Sequence, residues 1–92
     1  MDKRFLHKVL NQLVRETRID YDMGEIQFPF GSSSLLASPF YRPRLLLVVF
    51  SRLYSEYSKH CRDVYGLNEE ETDYVWKEYK QIIKDKIDNN GL

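Results

Sequence analysis

The chain has 92 residues and a formal net charge of zero, which suits one domain over 1–92 with one modest core. Hydrophobic residues make up 42% and charged residues 30%, a balance that excludes an intrinsically disordered chain. The overall basic excess of a nucleic-acid binder is missing, yet the charges are segregated: residues 1–18 carry five Lys/Arg and two acids, residues 42–62 five and one, and residues 63–92 four Lys and eight acids.

Residues 2–18 are predicted to form a helix. Phe5, Leu6, Val9, Leu10, Leu13 and Val14 recur at three- and four-residue spacing and mark its apolar face. Asp2 suits the N-cap. Arg4, Lys8, Asn11, Arg15 and Arg18 line the opposite face, with His7 at its margin. Charged residues interrupt this N-terminal stretch every few positions, unlike the apolar core of a signal peptide. Together with the single cysteine, Cys61, this points to a cytoplasmic protein without an internal disulfide.

The period then changes. In "TRIDYDMGEIQFPF", Ile19 and Tyr21, then Ile26 and Phe28, alternate around a turn containing Gly24. This predicts a β-hairpin over about 17–29, with Pro29 limiting the second strand. Residues 30–43, with Gly31, four serines and two prolines, read as a loop with a helical turn near 33–37. Leu35, Leu36, Phe40 and Tyr41 within it are apolar and expected to pack down.

Pro43 suits the first turn of a long helix over 43–65, and Gly66 its C-terminal stop. Phe50, Leu53, Tyr54, Tyr57, Cys61 and Val64 form the apolar face of its second half. Its start, "LLLVVF" from Leu45 to Phe50, is apolar all round: Leu45 and Val48 fall on the side that later carries Arg52, Glu56 and Lys59. The run is far shorter than the roughly 20 residues that span a bilayer. The last helix is predicted over 69–87, opened by a capping box between Asn68 and Glu71. Its core face holds Thr72, Val75, Trp76, Tyr79, Ile82, Ile83 and Ile87. Tyr74 falls on the polar side, and the tail "DNNGL" is expected to fray.

These elements predict an α+β fold, mainly α, with three helices and a hairpin between the first two; the alternative is an all-α three-helix domain. The expected core contains Leu6, Leu10, Leu13, Leu46, Val49, Phe50, Leu53, Tyr57, Val75, Trp76, Tyr79, Ile82 and Ile83.

Candidate chemistry is sparse. His7, His60 and Cys61 are too few and wrongly spaced for a zinc site, and the adjacent His60 and Cys61 point about 100° apart on a helix. Asp20, Asp22 and Glu25 around the hairpin turn match no calcium loop. "FGSSS" at 30–34 lacks the lysine and second glycine of a phosphate loop. No catalytic constellation, metal site or cofactor is expected.

The expected function is therefore a non-enzymatic protein-interaction or structural module that binds a protein partner or itself. Its contacts would centre on Leu35, Leu36, Phe40, Tyr41, Leu45 and Val48, where apolar residues exceed what a small core can cover. The alternative is a nucleic-acid-binding accessory protein that sets Arg4, Lys8, Arg15 and Arg18 against phosphates. No membrane partner is expected.

Overall fold

A computed structural model describes residues 2–20, 25–33 and 43–89, with side chains at all of these except 25, 31–33 and 43–47. Helix α1 runs from Lys3 to Glu16. Its start is fixed by Asp2, whose carboxylate accepts from the amides of Arg4 (3.0 Å) and Phe5 (3.3 Å), satisfying two donors that a helix start leaves open. The helix ends two residues earlier than its periodicity predicts. Thr17 is extended, and its hydroxyl donates to the Leu13 carbonyl at 2.7 Å, a local bond that competes with continued helix. The same hydroxyl is bonded to the Tyr79 phenol, tying the end of α1 to the last helix. Arg18 consequently belongs to the sheet and not to the helical row.

Strands β1 (Arg18–Asp20), β2 (Glu25–Phe28) and β3 (Gly31–Ser33) form an antiparallel sheet in that order. β1 pairs with β2 through Ile19 opposite Ile26. In β2, Ile26 and Phe28 are buried on either side of an exposed Gln27, the two-residue alternation of a half-buried strand. The third strand corrects the expectation of a loop from residue 30. Phe28 pairs with Gly31 across a two-residue turn of Pro29 and Phe30. Neither turn residue has positive φ, so the turn is not of the primed kind usual for such short hairpins. Proline second and glycine fourth is instead the signature of a type I turn. Proline ends β2, as expected, but turns the chain back instead of releasing it.

Helix α2 spans Pro43–His60 and continues without a break into a π-helical turn, Cys61–Tyr65. Gly66 stops it with φ 66°, and the amides of Gly66 and Leu67 bond to the carbonyls of Arg62 (3.1 Å) and Cys61 (3.2 Å). Hence the predicted helix 43–65 is one rod with a widened last turn. The widening changes what faces inward. Buried positions step by four through Leu53, Tyr57 and Cys61, and the next to pack on the core is Tyr65, while Val64 is 59% exposed. An unbroken α-helix would have brought Val64 inward.

Helix α3 runs from Glu69 to Asn89, past the predicted end at 87 and into the tail expected to fray. The capping box forms as read: the Glu71 amide donates to Asn68 Oδ1 at 2.8 Å, and Glu71 Oε1 accepts from the Asn68 amide at 3.0 Å. Asn68→Ala removes half of this exchange and is expected to lower stability by about 1 kcal/mol in urea denaturation; Asn68→Asp should be nearly neutral.

The architecture is α+β and mainly α, and the sheet excludes the all-α alternative. α1 packs chiefly on α3, α2 on α3 and β3. Between them lies an aromatic core. Trp76 stacks on Tyr57 at 4.2 Å between ring centroids and meets Phe50 edge-on at 5.5 Å. Phe30 enters from the β2–β3 turn and meets Phe28, Tyr57, Trp76 and Tyr79 at 5.3–6.1 Å. The buried Tyr57 hydroxyl donates to the Thr72 carbonyl at 2.8 Å, and the buried Thr72 hydroxyl to the Asn68 carbonyl at 2.7 Å. Val9, Ile26, Phe28, Cys61, Leu67 and Ile87 join the predicted core, and Ile82 is half-buried at its edge. The Leu46 side chain lies outside the described residues.

Candidate functional site

The expected interaction surface is described only in part. Leu35, Leu36, Phe40 and Tyr41 lie outside the described residues, and of Leu45 only the helical backbone is described. Val48 is described, and it is 47% exposed while its neighbours Val49 and Phe50 are 5% and 2% exposed. In α2 the exposed side continues from Val48 through Ser51, Arg52, Ser55, Glu56 and Lys59. The helix thus carries an apolar side chain at the head of an otherwise polar outer face.

The basic residues of α1 are all exposed: Arg4, Lys8 and Arg15 lie on one side with Asn11 between them, since positions four and seven apart share a helix face. Arg18 is exposed too, but on β1, where it lines a small cleft of 180 Å³ with Ile19, Asp20 and Gln27. The predicted row of four is therefore three on the helix and one apart. Phe5, which the spacing places on the apolar face of the helix, is 41% exposed and sits three residues before Lys8, at the margin of the basic face. It belongs to the first turn of α1, whose buried face begins at Leu6. The two acids nearest the row are engaged locally. Asp2 caps the helix, and Glu16 accepts from the Gln12 amide at 2.6 Å.

A third feature comes from tertiary packing. The Pro29–Phe30 turn and the end of α2 enclose an open groove of about 390 Å³, lined by Pro29, Phe30, Glu56, Lys59, His60, Asp63 and Val64. The signal for one wall was present: Glu56, Lys59, His60 and Asp63 stand at spacings of three and four, so they share a stripe. The opposite wall depends on the turn at Pro29. His60 Nε2 is buried without a hydrogen-bond partner, and the imidazole lies among the rings of Phe30 (6.3 Å) and Tyr65 (5.8 Å). Two carboxylates and an ammonium share the lining with it, so the walls carry charges of both signs.

The remaining singular groups are structural. Burial pushes the Cys61 thiol up, against a smaller opposing effect of the neighbouring Tyr57 hydroxyl, so the nucleophilic thiolate is disfavoured. The Tyr54 hydroxyl donates to Asp73 across α2 and α3. That bond, with lesser burial, pushes its ionisation up to about 12. Tyr74, placed on the polar side by its spacing, is half-buried and packs against the core. Among the described residues no three His, Cys, Asp or Glu side chains stand close enough to hold a metal ion. Nor is any described helix long and apolar enough to cross a membrane.

Compared with protein-family models, curated proteins and solved structures, the chain gives no significant match.

Proposed function

We propose that the chain is a non-enzymatic protein-interaction or structural module that self-associates through the outer side of the first half of α2. The observation that carries this reading is Val48. A valine nearly half exposed, inside the unbroken apolar run from Leu45 to Phe50, leaves apolar surface in water where the helix gains by covering it. Such surface drives association and performs no chemistry. A second copy is a fitting partner because the charge pattern complements itself: five Lys/Arg against two acids in residues 1–18, and eight acids against four Lys in residues 63–92.

Size-exclusion chromatography with light scattering tests this. At high micromolar concentration the chain should show a mass above that of one copy. Val48→Asp should return it to a monomer, because an unpaired carboxylate in the contact weakens it by roughly tenfold or more. Val48 is exposed, so circular dichroism of the variant should match the parent. A parent that stays monomeric throughout, or an Asp variant that associates equally well, overturns the reading.

A further inference from the structure

We propose that the exposed side of α1 binds single-stranded nucleic acid, with Phe5 as a stacking platform and Arg4, Lys8 and Arg15 as phosphate contacts. This stands independently of self-association through α2. Two separate observations meet on one helix. The first is charge: three cations share one face over about 16 Å of helix, while the two acids of the same stretch make their hydrogen bonds elsewhere, Asp2 to the helix start and Glu16 to the Gln12 side chain. The second is Phe5, which the spacing places on the apolar face of the helix and the structure leaves 41% exposed, one turn from Lys8. An exposed ring beside cations suits unpaired bases, whose faces stack on aromatic side chains while the backbone follows positive charge. A duplex hides those faces, so the ring adds nothing there. An anionic membrane surface meets the same cations less well. The apolar face of α1, from Leu6 to Leu13, is buried against the protein and is not available to enter lipid.

The binding is local, because the chain as a whole is neutral and lacks long-range steering. It should therefore be visible at low ionic strength and fade quickly with salt. For three phosphate contacts the logarithm of the association constant should fall against the logarithm of salt with a slope of about −2 on a single strand.

Fluorescence anisotropy of a labelled oligothymidylate of about twelve nucleotides, titrated with the full chain at about 50 mM salt, reads this directly. The expected results are binding to the single strand, weaker binding to the matching duplex, and a roughly tenfold loss for Phe5→Ala with the salt slope unchanged. Phe5→Trp should restore affinity. Lys8→Ala should weaken binding and make the slope shallower by about 0.7. Both residues are exposed, so circular dichroism should be unchanged in each variant. No retention of the oligonucleotide, equal affinity for the duplex, or a Phe5→Ala variant as tight as the parent each overturns the proposal. Retention on phosphatidylserine vesicles without retention of the oligonucleotide overturns it in favour of a membrane surface.

Discussion

Trp76→Ala is expected to lower the free energy of unfolding by about 3–5 kcal/mol, a large part of the roughly 5–15 kcal/mol available to a small domain. The indole is 7% exposed and is the piece that the other elements share. It stacks on Tyr57 of α2, meets Phe50 and Tyr54 edge-on, and touches Phe30 of the β2–β3 turn and Tyr79 of its own helix. Aromatic pairs at such distances contribute beyond their buried area. Removing the indole leaves a cavity bounded by rings from three elements, none of which can fill it without leaving the others. Urea denaturation followed by circular dichroism measures the loss. Trp76→Phe should recover more than half of it, since most apolar contacts survive. A loss below about 1 kcal/mol for the alanine variant would mean that the core closes around the gap and is not organised on the indole.

Phe30→Ala is expected to cost about 3 kcal/mol, and this result discriminates most sharply between the observed fold and the loop that the sequence suggests. In a solvated Gly/Ser-rich loop, truncating one side chain changes stability by no more than about 0.5 kcal/mol. In the structure the ring lies within 6.1 Å of Phe28, Tyr57, Trp76 and Tyr79. It is half-buried, which places the loss at the lower end of the range for phenylalanine. Phe30→Leu should retain part of the packing and fall between. An alanine variant as stable as the parent would show that the turn does not hold its ring in the core.

Helix boundaries were the most legible part of the chain where a capping side chain or a glycine closes them. Asp2, the Asn68–Glu71 exchange and Gly66 act through backbone groups within a few residues, so spacing alone identifies them. The first two strands were legible for the same reason, as the alternation of Ile26 and Phe28 is local. β3 was not. Gly31, Ser32 and Ser33 carry neither alternation nor strand-forming side chains, and their strand exists because Pro29 and Phe30 turn them back along β2. The turn signature in "FPFG" was visible, but its meaning depended on a neighbour to pair with.

The candidate surfaces divide along the same line. Arg4, Lys8 and Arg15 were legible because helical period puts them together, and Arg18 dropped out where Thr17 ends the helix. Phe5 belongs to the apolar arc by its spacing but stands at the arc's margin, where only the packing partner decides which side is covered. Val64 was misplaced because a π turn changes residue direction and leaves no mark in the apolar period. The groove at Phe30 joins residues about thirty positions apart, through a turn and a helix end, and only tertiary packing brings these together.

Trp76 has one more consequence. It is the only tryptophan in a chain with seven tyrosines, and it lies within 4.2–6.0 Å of Tyr54, Tyr57 and Tyr79. The molecule therefore carries its own optical reporter. Excited tyrosines hand their energy to this one indole in the folded chain, and its emission moves to longer wavelength when water reaches it. Because the same ring touches the β2–β3 turn, α2 and α3, detachment of any one of them registers in a single signal.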